Sequence, residues 1–143
     1  MSEREGSQRE RAATRAVRPA PAGLSEERAQ IRRLLVANRG EIARRVIRSC
    51  RSLGISPIAV HSTVDARGAW VGEADAAIEL AGAAPADTYL RADLLVDAAR
   101  RTGADAVHPG YGFLAEDAGF ARAVLDAGLV WVGPSPAAIA SMG

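Results

Sequence analysis

From Ile31 onward the sequence predicts an α/β fold, a parallel sheet with helices on both faces. Three observations carry that prediction. Short apolar runs alternate with amphipathic stretches. Glycine, proline or a capping residue punctuates most junctions. Single helices separate the strands, and parallel strands joined in that way need right-handed crossovers.

Residues 1–30 precede the pattern. They mix Arg, Glu, Ala, Pro and Ser with scattered apolar residues such as Val17 and Leu24, too few to offset the entropy of ordering. A disordered N-terminal extension is predicted there, and residues 31–143 form the domain. No apolar stretch follows Met1 as a secretory signal requires. The glutamates at 3, 5, 10, 26 and 27 fit a transit peptide badly.

The first predicted strand is Leu34–Ala37, a continuous apolar run of the kind covered on both faces. Asn38 and Glu41 then match an Asn version of a capping box. Ile42, Val46, Cys50 and Leu53 repeat at helical spacing, widened by Ala43 and Ile47, and Gly54 ends the helix. Pro57–His61 is the second strand and Ala76–Leu80 the third. Asp87 or Thr88 is the expected cap of a helix carrying Leu90, Leu94, Leu95 and Ala98, which Gly103 stops. Asp105–Val107 is the fourth strand. Ala118, Ala121, Val124 and Leu125 mark a helix that stops at Gly128. Leu129–Val132 is the fifth strand, and Ser135 is placed to cap a last helix.

Composition bounds the chemistry. A net charge of +1 over 143 residues gives no basic footprint for nucleic acid. No apolar run approaches the roughly 18 residues of a membrane span. The single cysteine, Cys50, cannot form an internal disulfide, which points to the cytoplasm. All 18 residues counted as Lys+Arg are arginine. A phosphate-loop lysine, a Schiff base and a biotin-bearing lysine are therefore excluded from this chain. There is no G-x-G-x-x-G, and Asp65, Glu73 and Asp75 have no metal-ligand spacing. Neither a bound nucleotide nor a metal is assigned to this domain alone.

The stretch His108-Pro109-Gly110-Tyr111-Gly112-Phe113-Leu114-Ala115-Glu116-Asp117 is the strongest candidate site. It follows an apolar strand and precedes a helix, so it lies at the carboxyl edge of the sheet, where ligands of α/β proteins bind. Glycines let backbone approach a ligand closely, and Tyr111 and Glu116 add a flat ring and a carboxylate. Gly110 and Gly112 also have a plainer reading, as residues that simply let the chain turn. The loop at Asn38–Glu41 should open on the same edge.

Three segments carry a resemblance to a known family. Val36-Ala37-Asn38-Arg39-Gly40-Glu41-Ile42-Ala43, the HPGYGFL stretch from His108 to Leu114, and Val132-Gly133-Pro134-Ser135 together resemble biotin carboxylase. The likeness runs from about Ile31 to Gly143. It implies a Rossmann-like pre-ATP-grasp domain, the first part of an enzyme that uses MgATP to activate bicarbonate as carboxyphosphate and then carboxylates biotin. Biotin would come on a biotin carrier partner, and a carboxyltransferase component would take the carboxyl group onward to an acyl-CoA. The resemblance further implies that Tyr111 and Gly112 border the biotin site and that Glu116 supports it. It places the helix over residues 41–53, with Arg45 and Arg48, at a homodimer interface. The family residues that act on ATP, metal and bicarbonate come after Gly143, so no catalytic residue is assigned here and isolated activity is not expected. Asp117 stands where the family usually has Asn, Ala69-Trp70 and Gly72-Glu73 depart from the usual pattern, and Ser52 replaces a charged interface residue.

Two other readings remain beside this one. The chain is a non-catalytic assembly module that binds a full-length carboxylase subunit, or the pre-ATP-grasp domain of another ligase such as carbamoyl-phosphate synthetase. Individual residues also carry plainer readings. Asn38 is a helix cap or a ligand contact, and Arg39 and Glu41 pair with each other or with further domains. His108 and His61 make structural hydrogen bonds. Arg44, Arg45, Arg48 and Arg51 form a solvated face or an interface. Cys50 and Trp131 are packed.

Overall fold

The computed structural model describes residues 30–142. The expected N-terminal extension lies outside the described residues, apart from Gln30. Five strands form one sheet: β1 (Arg33–Val36), β2 (Ser56–Ser62), β3 (Ala76–Leu80), β4 (Ala106–His108) and β5 (Val130–Trp131). Every pairing is parallel, in the order β3-β2-β1-β4-β5. That order places β1 at the centre and reverses the direction of winding between β1 and β4. Such a reversal is a topological switch point, outside which doubly wound sheets bind ligands.

The pleat sorts the side chains of each strand between two cores. Leu34 and Val36 pack with Ala43, Ile47 and Cys50 of α1 (Gly40–Ser52) and with Trp70 of α2 (Ala69–Glu73). Leu35, Ile58, Val60 and Val107 face the other way. They meet Leu95 of α3 (Ala92–Thr102), Phe120 and Val124 of α4 (Ala118–Asp126) and Ile139 of α5 (Pro136–Met142). Leu35 and Val36 are both fully buried, so β1 is covered on both faces, as its unbroken apolar run requires. Removing a side chain such as that of Leu35 costs about 2–5 kcal/mol by cavity formation.

The predicted strands and principal helices are present, with shifted ends. Gly103 closes α3 in the left-handed conformation, and the Ser135 hydroxyl accepts the Ala138 N–H at the start of α5. Other local expectations are corrected. Asn38 does not cap α1: the N-cap is Arg39, with no side-chain cap, and Glu41 instead pairs with Arg44 at 2.8 Å. Neither Asp87 nor Thr88 caps α3. Pro85–Asp87 form a single 3-10 turn, the Thr88 hydroxyl donates to the Ala84 carbonyl, and α3 starts only at Ala92. Leu90 falls in the intervening turn and is exposed, as is Leu53 at the end of α1.

The short helix α2 is the one crossover that periodicity did not indicate. Trp70 secures it. The indole is buried and donates to the Val60 carbonyl at 3.0 Å, and its ring covers Gly68 so closely that a Cβ there would overlap it. The Ala69-Trp70 departure is thus a packing solution of this chain.

Candidate functional site

The site begins at Asn38, just after the central strand. Its side chain is 1% exposed. Nδ2 donates to the Pro109 carbonyl at 2.8 Å and to the Tyr111 carbonyl at 2.7 Å, while Oδ1 accepts the Arg39 N–H at 2.8 Å. The Ala37 N–H donates to the His108 carbonyl at 2.9 Å, extending the ladder toward the same loop. Between the two carbonyls sits Gly110, at φ +68°, where a Cβ would lie 2.7 Å from Ile42 Cγ2 and 2.8 Å from Asn38 Nδ2. Only glycine fits that conformation and that gap.

His108 completes the turn. Its Nδ1 accepts the Gly110 N–H at 3.0 Å, and burial lowers its pKa. The neutral ring that makes this bond therefore persists over a wider pH range. This is the structural hydrogen bond expected of His108.

Beyond Gly110 the loop is anchored by apolar side chains. Phe113 takes φ +47° and stacks on Tyr89 with ring centroids 5.4 Å apart, and Leu114 is buried. Asp117 then caps α4 by accepting the Phe120 N–H at 2.8 Å. The extra carboxylate is thus engaged as a helix cap, in favourable register with the helix dipole.

With both ends fixed, the crest of the loop stands free. Tyr111 is 73% exposed, Gly112 has open space on its Cα, and Glu116 is exposed. These three predicted site residues share one loop, and neither the Tyr111 nor the Glu116 side chain bonds to another described residue. Arg45 and Arg48 are exposed on α1 and make no ion pair among the described residues. Arg45 and Tyr111 border an apolar cleft of about 570 Å³, whose walls include Ile42, Val46, Cys50 and Val132. Arg48 and Glu116 do not line it. Burial raises the Cys50 pKa, keeping a thiol rather than a thiolate in its wall.

On the other side of β1 lies a second cluster. Arg39 binds Asp65 through two bonds of 2.8 and 2.9 Å. The Tyr89 hydroxyl donates to Asp65 at 2.7 Å and accepts the Ser62 N–H at 2.9 Å. The Arg39 guanidinium also lies 5.7 Å from the Trp70 ring centroid, a cation–π distance. Hydrogen bonding to Arg39 holds the Asp65 carboxyl down to about 2, and the Arg39 pKa is raised by the same bond. Desolvation, and then the bond to Asp65, raise Tyr89. Arg39 therefore pairs with Asp65 rather than with Glu41. Glu73 and Asp75 are likewise taken, by Arg44 at 2.7 Å and Arg51 at 3.0 Å. No group of three metal-ligating side chains occurs among the described residues.

Sequence reasoning found the crest but missed what holds it. Asn38 and Tyr111 are 73 residues apart, and nothing local marks an amide that bridges such a separation.

Sheet order, switch point and glycine crest define a doubly wound α/β domain whose winding reverses between β1 and β4. The comparisons narrow that class. The family model described as "Biotin carboxylase, N-terminal domain" matches residues 30–139, and the chain belongs to that family. It is 50% identical over 119 residues to the biotin-dependent acyl-coenzyme A carboxylase alpha3 subunit of Mycobacterium leprae, covering 83% of this chain and 20% of that protein. It is also 50% identical over 113 residues to Biotin carboxylase 1 of Bacillus subtilis, covering 79% and 25% respectively. Among solved structures, the biotin carboxylase domain of Hydrogenobacter thermophilus 2-oxoglutarate carboxylase superposes with a TM-score of 0.77 at 46% identity. That match covers 81% of this chain and 25% of the other. The pyruvate carboxylase of Rhizobium etli gives 0.77 at 35% identity, covering 80% and 12%. The chain thus spans a quarter or less of the length of these relatives.

Proposed function

We propose that residues 31–143 act as the first domain of a biotin carboxylase, in the cytoplasm, within an acyl-CoA carboxylase. The complete enzyme would use MgATP and bicarbonate to carboxylate biotin held by a biotin carrier, with a carboxyltransferase as the next component. In this reading ATP and magnesium are held by the rest of the complete enzyme, and the Asp65 and Glu73 carboxylates of this chain are already bound to arginines. Biotin is different. A flat, uncharged ring suits the Tyr111–Gly112 crest, where an aromatic face stands beside backbone with no Cβ in the way. In this reading Tyr111 and Gly112 form one wall of the biotin site and Glu116 supports it. The observation that carries the reading is this exposed crest, braced at the switch point.

The test is a chimera in which residues 30–139 replace the matching first quarter of Biotin carboxylase 1 of Bacillus subtilis. Biotin-dependent, bicarbonate-dependent ATP turnover is expected. Tyr111→Ala should raise the KM for free biotin about tenfold, equivalent to about 1.4 kcal/mol of lost binding, and leave the KM for ATP unchanged. A folded chimera without biotin-dependent turnover overturns the reading.

One observation favours a second role. Arg45 and Arg48 are exposed on α1 with no ion pair among the described residues, and Arg45 borders the apolar cleft, which suits a homodimer contact or docking onto a full-length carboxylase subunit. Sedimentation of the chimera carrying Arg45→Glu and Arg48→Glu tests it. Dissociation to monomers is expected, and an unchanged dimer removes these arginines from the interface.

A further inference from the structure

We infer that Asn38 is the positioning residue of the Tyr111–Gly112 wall, an inference that rests on the biotin reading above. Asn38 need not touch biotin. It acts through the backbone of the loop that does.

The chemistry of the side chain fits the task. One carboxamide supplies two N–H donors from a single nitrogen and an acceptor on the other atom. Here all three are used: the donors hold the carbonyls of Pro109 and Tyr111, and the acceptor takes the Arg39 N–H. The two carbonyls belong to the Pro109–Gly110 and Tyr111–Gly112 peptide planes, which bracket Gly110 and Tyr111. Fixing both planes restricts the path of the chain through those two residues. Each peptide is planar and trans, so drawing the Tyr111 carbonyl inward turns the Gly112 N–H away from Asn38. The same constraint sets the direction in which the Tyr111 ring leaves the loop.

The anchor itself is rigid. Asn38 directly follows the central strand, is buried to 1% exposure, and closes against Gly110 with no space for a Cβ between them. The crest is therefore referenced to β1 as well as to β4, from which it springs. His108 braces the first turn from within the loop, whereas Asn38 hydrogen-bonds the loop across the switch point.

Two variants separate this role from simple packing. Asn38→Asp keeps the shape of the side chain and loses both donors, whereas Asn38→Ala loses shape and donors together. Amide exchange in the 143-residue chain should quicken about tenfold at Gly110 to Glu116 in both variants, the factor for a contact of about 1.4 kcal/mol. Exchange at Leu35 and Val107 should stay as in the parent. In the chimera, both variants should raise the KM for free biotin about as much as Tyr111→Ala does, with kcat at saturating biotin and the KM for ATP little changed. If Asn38→Ala unfolds, as loss of protection at Leu35 would show, Asn38→Asp is read alone.

Parent-like exchange and parent-like biotin KM in Asn38→Asp overturn the inference, and the biotin reading survives if Tyr111→Ala still raises that KM. A silent Tyr111→Ala removes the biotin reading itself, and the inference falls with it.

Discussion

Two structures flank β1 at the carboxyl edge of the sheet, the Asp65 knot on one side and the Tyr111 crest on the other. In the knot, charged side chains turn inward and satisfy one another: Arg39 grips both oxygens of Asp65, and Tyr89 takes a second bond to it. In the crest the arrangement is reversed. Backbone carbonyls are held from within by Asn38, and the side chains of Tyr111 and Glu116 face solvent. The knot holds the only Asp among the described residues with a pKa near 2, yet it has the fewest groups free to meet a ligand. A perturbed pKa marks a functional site only probabilistically, because structural ion pairs shift pKa values equally well. On the proposed reading, free side chains on an over-determined backbone mark the site better than the charges do.

The comparison is broken most severely at Gly110. Gly110→Ala forces a Cβ into Ile42 and Asn38 at a left-handed φ. Left-handed strain of about 1–2 kcal/mol adds to overpacking of about 1–3 kcal/mol, giving a loss of about 3 kcal/mol in the urea midpoint analysis. Gly112→Ala is the control on the same loop. It has a similar φ of +71° but open space around the Cα, so only the conformational part, about 1 kcal/mol, is expected. Equal losses at the two positions would deny that Gly110 is gripped and Gly112 free.

The knot is tested by acid. The folded pKa of Asp65 is about 2, below its ordinary 3.8. A depressed carboxyl adds stability that is complete above the unfolded pKa and lost as pH falls through the folded one. The shift alone corresponds to about 2.4 kcal/mol, but the Arg39 end is 45% exposed, and solvent screening brings the expected contribution to about 1 kcal/mol. Asp65→Asn should lower stability at pH 7 by about that amount. It should also flatten the stability profile between pH 4 and 2 relative to the parent. A parent-like acid slope in the variant would show that Asp65 is not the group responsible.

Much of the fold was legible because burial on both faces writes itself locally. Leu34–Ala37 is apolar without interruption, and the structure seals it under α1 on one side and α3 to α5 on the other. Helix ends at Gly54, Gly103 and Gly128 were legible for the same reason, since the chain reversals they permit are decided within a few residues. The crest was found from its glycines and its position after a strand. Its clamp was not, because Asn38 lies 71 residues before Pro109 and a lone Asn before a helix looks like a cap. The helix α2 was hidden by length: five residues show little periodicity, and Trp70 holds the turn by tertiary packing instead. In the sequence Asp65 is only a carboxylate without metal spacing, and Tyr89 carries no signal of its own. The partners that give them meaning become neighbours only when β1, β2 and the turn before α3 converge.

The smallest predicted effect bears most directly on the site. Tyr111→Ala and Glu116→Gln should each change the stability of the 143-residue chain by less than about 0.5 kcal/mol, the usual range for surface substitutions without a specific partner. Tyr111 is a large aromatic left 73% exposed, so its truncation removes little buried surface from the folded chain. Glu116 makes no bond to a described residue, and the helix that follows is capped by Asp117, so the amide should fold as well as the acid. Chemical denaturation of both variants beside Phe120→Ala gives the scale, because that fully packed ring should cost about 3–5 kcal/mol. Near-neutral stability would mean that neither crest side chain is there to hold the fold, leaving ligand contact as the role to which a raised biotin KM in Tyr111→Ala would attest. A loss near that of Phe120→Ala would instead make Tyr111 a structural residue, and the division between a self-satisfied knot and a free crest would fail.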